Sequence, residues 1–161
     1  MKPSSRETAE RAILDRFIQA YSKRFSIELT NITHQDKPDF VVVNSVTGEI
    51  LGIEVTGAYQ NAQEAKIQYG VEKLDRFVSS SDEIISSLNA RLSDKAEKSK
   101  AYVFDSRMIL VIWLGSLVFN QKTDIDRFLH KLVIPNSKFS EIWLVVRDKD
   151  DYSPDLYLLQ G

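Results

Sequence analysis

The chain has 161 residues, a net charge of −2 and no cysteine. This length suits one domain with a sizeable core, and we expect a single domain over 1–161. The near-neutral charge argues against a nonspecific nucleic-acid coat protein, but it is compatible with a site where metal ions and a local basic helix offset phosphate charge. The lack of cysteine excludes disulfides, zinc–thiolate sites and thiol nucleophiles. No apolar run is long enough to span a bilayer, so we expect a cytoplasmic protein without membrane association.

An amphipathic helix is predicted first, from about 5 to 24, with Ser4 or Ser5 as its N-cap. Two acids, Glu7 and Glu10, lie in its first turns. They are either solvated side chains that complement the helix dipole or carboxylates that reach a site from the inner end of the apolar stripe.

Three strands are predicted after this helix. Alternation over 27–33 indicates the first, and the apolar runs 37–43 and 49–56 form a hairpin around Gly48. His34, alone between the first two strands, is expected in a loop. With no second histidine or cysteine at ligand spacing, it is assigned no metal.

The hairpin brings two acids to one face of the sheet. With a loop of two residues (47–48) or four residues (46–49), Asp39 stands opposite Thr56, and Asp39 and Glu54 become diagonal neighbours roughly 7–8 Å apart. A loop of three or five residues would separate them. Glu54 lies in a strand that is apolar on both faces, where a carboxylate must be paired, hydrogen-bonded or bound to a metal. Such a pair suits Mg²⁺ or Mn²⁺. Alternatively, Asp39 starts a strand and Glu54 faces solvent.

The segment after the hairpin has weaker patterns. A break at 57–58 is expected to end the third strand, 61–69 is weakly helical, and 71–78 is expected to be a mobile loop near the site.

A second long helix is predicted from about 82 to 102, with Lys95 on its inward stripe. Lys95 either keeps its ammonium in water while its stem covers the core or aims the ammonium at the two acids. Lys95, Lys98 and Lys100 form the most basic segment, which is either a phosphate-contacting surface or a solvated face.

The rest of the chain completes a sheet. The runs 109–115 and 141–147 predict buried strands, 154–160 predicts an edge strand, and 125–133 predicts a short helix in which His130 complements the dipole. The order of elements predicts an α/β fold with a mixed central sheet flanked by helices.

A helix with an inward Glu, then Pro38-Asp39, a hairpin and Glu54-Val55-Thr56 resembles the core of the PD-(D/E)XK, or restriction-endonuclease-like, nuclease superfamily. The resemblance covers roughly residues 5 to 115. It implies an αβββαβ core, here with an additional helix and strands.

By this resemblance, Asp39 and Glu54 bind Mg²⁺ or Mn²⁺, the Ile53 or Val55 carbonyl is a further ligand, and Glu10 or Glu7 completes the shell. The implied activity is metal-dependent phosphodiester cleavage of nucleic acid, with DNA the expected substrate. Family members of this size often dimerise, so a homodimer is a candidate assembly.

The family motif has a lysine where this chain has Thr56. A threonine hydroxyl can orient a water molecule but supplies no charge. Some family members recruit a lysine from elsewhere, and here Lys95 is the first candidate and Lys66 the second. Lys95, Lys98 and Lys100 are the expected nucleic-acid contacts.

Two other interpretations stay open. One is a catalytically degenerate module of the same fold that binds nucleic acid or a protein. The other is an α/β binding protein of unrelated fold, which predicts that Asp39 and Glu54 lie far apart or on opposite faces.

Overall fold

The structure, a computed structural model, describes residues 4–59 and 81–161. The predicted helix at 61–69, the predicted loop at 71–78 and Lys66 lie outside the described residues. Six strands form one mixed sheet with helices on both faces, which confirms the α/β class. Among the described helices, none combines the length and apolarity needed to cross a bilayer.

The helices and strands follow the predicted order. The helices are α1 (Ser5–Phe25), α2 (Ser81–Ser99) and α3 (Lys122–Phe128), which continues into a 3₁₀ turn over Leu129–Lys131. The strands are β1 (Leu29–His34), β2 (Phe40–Asn44), β3 (Ile50–Ala58), β4 (Arg107–Leu114), β5 (Phe139–Arg147) and β6 (Pro154–Gln160).

The strands lie side by side in chain order, from β1 at one edge to β6 at the other. β3, β4 and β5 are parallel, and every other neighbouring pair is antiparallel. Parallel neighbours need a crossover connection, and the connections containing α2 and α3 supply the two that are required. The predicted edge strand at 154–160 is confirmed.

The sheet separates two apolar clusters, because side chains alternate between its faces. On one face, α1 buries Phe17 against Ile53 and Val55 of β3. On the other face, α2 and α3 cover Ala58 and Leu110. Glu54, between Ile53 and Val55 in sequence, therefore points to the α2 face.

Several predicted boundaries are wrong. β3 does not break at Gly57 but runs through Ala58, which pairs with Leu114. α2 ends at Ser99, three residues earlier than predicted. The Ser99 hydroxyl donates to the Ala96 carbonyl at this end of the helix.

Two further differences concern shorter elements. His34 is the last residue of β1 rather than a loop residue, and its ring packs edge-on against Phe40. The helix predicted at 125–133 begins at Lys122, because the Asp124 carboxylate accepts from the Gln121 N–H at its start.

The turn between β2 and β3 begins earlier than predicted. The Asn44 side-chain oxygen accepts the N–H groups of Val46 and Thr47, at 2.9 and 3.2 Å. An asparagine side chain that bonds the following backbone starts a turn at its own position. The loop is therefore 45–48, and it closes at Gly48, whose φ of 76° favours glycine.

This turn shifts the register of the hairpin by two residues. Phe40 pairs with Ile53, so Asp39 stands opposite Glu54 rather than opposite Thr56. The predicted diagonal relation is wrong. An even shift preserves the side of the sheet, so the two acids still share a face.

Gly52, two residues before Glu54, leaves room for the chain that leads into Asp39. A Cβ at this position would lie 2.6 Å from Pro38 Cγ and 2.8 Å from Phe104 Cε2. We expect Gly52→Ala to lower the free energy of unfolding by about 1–3 kcal/mol, because overpacking displaces both rings. Urea denaturation measures this change.

Gly48→Asn is the matched control, because no atom lies within 4 Å of its Cβ position and asparagine tolerates positive φ. Equal stability of Gly52→Ala and the wild-type protein would contradict this packing.

Candidate functional site

Asp39 and Glu54 bond to each other's strand at the point where the β2–β3 ladder ends. The Asp39 N–H donates to Glu54 Oε1 at 3.0 Å, and the Val55 N–H donates to Asp39 Oδ2 at 3.0 Å. Only 4% of Asp39 and 2% of Glu54 is exposed. The acids are therefore adjacent and buried, and Glu54 is not a solvent-facing edge residue.

The Val55 carbonyl lies beside this pair. In an extended strand, the N–H and C=O of one residue point to the same edge. The Val55 N–H points to Asp39, beyond the last paired residues of β2 and β3. Its carbonyl oxygen therefore points to the same edge and adds a neutral oxygen next to the two carboxylates.

The second oxygen of Glu54 faces α2. Lys95 Nζ lies 3.2 Å from Glu54 Oε2, and the Tyr102 hydroxyl donates to the same oxygen. Lys95 is on the inward stripe after Leu88 and Leu92, so its ammonium reaches the acids instead of bulk water. Only 12% of its side chain is exposed.

Burial and mutual repulsion separate the protonation states of the two acids. Burial first, and then the Glu54 carboxylate, raise the pKa of Asp39 to about 9. Burial also pushes the pKa of Glu54 upward, but hydrogen bonds from Asp39 and Tyr102 and the charge of Lys95 outweigh it and lower this pKa. Near neutral pH, Asp39 therefore holds a proton and Glu54 is ionised.

The N-terminal part of α1 approaches Asp39 from the other side. Glu10 is close enough to Asp39 to contribute to its raised pKa, after burial and Glu54, and Arg6 lies 3.3 Å from Glu10. Glu7, one turn earlier, lines a cavity that is also lined by Asp39, but it has no described bond to either acid. Of the two predicted α1 acids, Glu10 is thus the one brought to the pair.

Two cavities share Asp39 in their linings, and we refer to them together as the cleft. The first, about 290 Å³, extends towards α2, and the second, about 310 Å³, extends along α1. Arg6, Asp36 and Asp39 line both cavities. Besides these, the α2 side is lined by Lys37, Glu54, Lys95, Lys98, Ala101 and Tyr102.

The remaining predicted residues are less closely involved. Thr56 lies on the Glu54 face of β3 but does not line the cleft. Lys98 lines the cleft and pairs with Asp94 at 3.1 Å. Lys100 lies outside the cleft and pairs with Glu97 at 2.8 Å, so it behaves as a solvated charge.

Sequence reasoning missed two residues of this site. Arg6, one turn before Glu10, was not singled out, although its spacing of four residues predicts the ion pair. Tyr102 follows Lys95 by seven residues, a spacing that puts both on one side of a helix, and this spacing is the sequence signal that both reach Glu54.

The donor set fits a hard divalent cation. Mg²⁺ is commonly held by one or two carboxylates and keeps several water ligands. Asp39, Glu54 and the Val55 carbonyl provide such oxygens. Among the described residues, no group of three or more acidic or histidine side chains is placed to hold a metal, at this site or at any other. Waters would therefore complete the shell.

The fold and the site define a mixed α/β protein with a buried Asp–Glu–Lys–Tyr cluster in a surface cleft. No protein-family model, curated protein or solved structure matches the chain.

Tyr102→Phe tests the hydroxyl donor to Glu54. We expect this variant to lose about 2 kcal/mol of unfolding free energy, because a buried carboxylate loses a hydrogen bond. Tyr157→Phe is the matched control, since the Tyr157 hydroxyl donates to Asp126 at an exposed position. Urea denaturation should rank Tyr102→Phe below Tyr157→Phe; the reverse order would contradict the contact with Glu54.

Proposed function

We propose that the chain is a Mg²⁺- or Mn²⁺-dependent phosphodiesterase acting on nucleic acid, with DNA the expected substrate, built on a restriction-endonuclease-like core. The observation that carries this proposal is the opposed, buried pair of Asp39 and Glu54 with Lys95 beside it. A purely structural role would not require two carboxylates to face each other at the wall of an open cleft.

Asp39, Glu54 and the Val55 carbonyl would hold the metal. When bound, the metal supplies Lewis acidity to the phosphodiester and lowers the pKa of an attacking water. Lys95 orients the Glu54 carboxylate and places a positive charge at the cleft wall, where it offsets charge that develops on the phosphate. Lys95 thus takes the place of the lysine that the motif has at Thr56.

The cleft also supplies the charge needed to receive a polyanion. Arg6, Lys37 and Lys98 line it, although the whole chain carries a net charge of −2. Local basic groups attract phosphates even where the global charge is slightly negative. A homodimer that cuts two strands and a cytoplasmic location complete the proposal.

Cleavage of plasmid and single-stranded DNA, each with Mg²⁺, with Mn²⁺ and with EDTA, tests the activity. We expect Glu54→Gln to lower the metal-dependent rate by at least about 1,000-fold, because it removes the ligand that is already ionised before the metal binds. Glu97→Gln, an exposed change of the same kind on α2, should keep the wild-type rate. Equal rates for the two variants would remove the proposal.

A catalytically inactive module of the same fold is the second candidate. It is favoured by the saturation of Glu54, whose two oxygens already accept from Asp39, Lys95 and Tyr102. Titration calorimetry with Mn²⁺ separates the candidates. Binding that Glu54→Gln abolishes supports the metal enzyme, whereas no binding to the wild-type protein supports the inactive module.

A further inference from the structure

Two arginines lie against one buried tryptophan on the α1 face of the sheet. The guanidinium carbons of Arg16, on α1, and Arg147, at the end of β5, lie 4.4 and 5.0 Å from the Trp113 ring centroid. Trp113 is 3% exposed and stands opposite Val145, two residues before Arg147. Because both distances end on the same ring, the guanidinium carbons are no more than about 9.4 Å apart.

These two cations have no acidic partner within 4–59 and 81–161, and both are partly buried. By contrast, Arg6, Arg11 and Arg107 each face a carboxylate. Burial, and then the charge of Arg16, lower the pKa of Arg147. Two like charges are thus held together in a half-buried place, although contact with an aromatic ring stabilises each by only about 1 kcal/mol.

The tryptophan adds a third donor. The Trp113 indole N–H makes no hydrogen bond to any residue of the described part of the chain. The other indole, that of Trp143, donates to Glu141 Oε1 at 2.9 Å. A buried indole N–H usually has an acceptor. The Trp113 indole N–H and the guanidinium groups of Arg16 and Arg147 therefore lie close together without an acceptor among the described residues.

The two acids nearest to Arg147 do not supply the missing acceptor. Arg147 also lines a cavity of about 230 Å³ with Lys122 and Lys149. Lys122 holds one acid of this cavity, Asp155, at 3.1 Å. The other, Asp148, accepts N–H groups of its own loop. The surroundings of Arg147 thus leave its positive charge uncompensated.

We propose that Arg16, Arg147 and Trp113 form a site for a phosphate group. A guanidinium presents parallel N–H groups that match the oxygens of a tetrahedral oxyanion, with hydrogen bonds of about 2.8 Å. One phosphate between the arginines accepts from both and removes their repulsion. The phosphate belongs either to a free anion or to the backbone of a nucleic-acid strand, and the chemistry of recognition is the same.

The test is titration calorimetry in EDTA, with inorganic phosphate in one arm and a short single-stranded DNA oligonucleotide in the other. We expect Arg16→Gln and Arg147→Gln each to weaken binding at least about tenfold, because each removes one positively charged guanidinium group with its parallel N–H donors. Arg91→Gln, an exposed arginine on α2, is the matched control and should bind as the wild-type protein does.

The two arms identify the source of the phosphate. Binding of inorganic phosphate alone assigns the site to a free anion, and binding of the oligonucleotide assigns it to a strand. Arg16→Lys and Arg147→Lys keep the positive charge but lose the parallel N–H donors of the guanidinium group. They control for misfolding, and they should bind more weakly than the wild-type protein and more tightly than the Arg→Gln variants. Binding in neither arm, or equal binding by Arg91→Gln and the two Arg→Gln variants, would overturn the proposal.

This site stands apart from the metal chemistry. Because the titrations contain EDTA, Glu54→Gln should bind phosphate as tightly as the wild-type protein even if the proposed phosphodiesterase activity is absent. A loss of binding in Glu54→Gln would instead place the anion in the acidic cleft and contradict the assignment to Trp113.

Discussion

Replacing Asp39 with asparagine is expected to abolish Mn²⁺ binding and, in the metal-free protein, to raise stability above about pH 5. Asparagine keeps an oxygen for the Val55 N–H and an N–H₂ donor for Glu54, so it mimics protonated Asp39. It cannot release a proton to become an anionic ligand. Stability and metal binding should therefore change in opposite directions.

The sign of the pH effect follows from the two carboxyls. The pKa of Asp39 rises from 3.8 to about 9 on folding, so its stabilising contribution is complete below about pH 4 and declines as pH rises towards 9. The pKa of Glu54 is lowered, so its contribution is present above its ordinary pKa of 4.5 and is lost as pH falls below that range. Between pH 5 and 9, the change of the unfolding free energy with pH is therefore set by Asp39.

Urea denaturation at several pH values between 5 and 9 measures this slope. The wild-type free energy of unfolding should fall by up to about 1.4 kcal/mol per pH unit, and that of Asp39→Asn should be nearly flat. Asp94→Asn, at a partly exposed position on α2, should keep the wild-type slope. A steep slope in Asp39→Asn would contradict the protonation of Asp39, and Mn²⁺ binding that survives in it would contradict the role of Asp39 as a metal ligand.

The shared face of the two acids could be predicted from sequence because it depends only on the parity of the register. The turn chemistry of Asn44 moved the pairing by two residues, and an even shift leaves Asp39 and Glu54 on one side. The exact pairing could not be predicted, since a Gly48 turn is compatible with several loop lengths. Local periodicity fixes faces better than it fixes registers.

The partners of Glu54 show a second limit. Helical spacing predicts that Lys95 faces inward, and Tyr102 follows it seven residues later, just beyond the end of α2. Nothing local relates Arg16 to Arg147: α1 brings Arg16 to Trp113, and the pairing of β4 with β5 brings Arg147 to it. Contacts between distant elements depend on packing geometry, which periodicity does not contain.

Replacing Lys95 with methionine is expected to destabilise the metal-free protein by about 3 kcal/mol and to lower any metal-dependent cleavage by at least about 100-fold. Methionine keeps the apolar stem but leaves the ionised Glu54, 2% exposed, without its counter-charge. Removing one partner of a buried ion pair typically destabilises by about 3–5 kcal/mol. Part of this loss is offset because the Tyr102 hydroxyl still donates to Glu54.

Lys98→Met, on the same helix, is the matched control, because Lys98 is largely exposed and its pair with Asp94 contributes less than about 1 kcal/mol. Urea denaturation with and without saturating Mn²⁺ then separates two roles of Lys95. If Asp39 and Glu54 hold a cation, Mn²⁺ replaces the missing charge and restores most of the stability of Lys95→Met. If the cluster is only structural, Mn²⁺ leaves this variant as unstable as before, and the metal site is excluded.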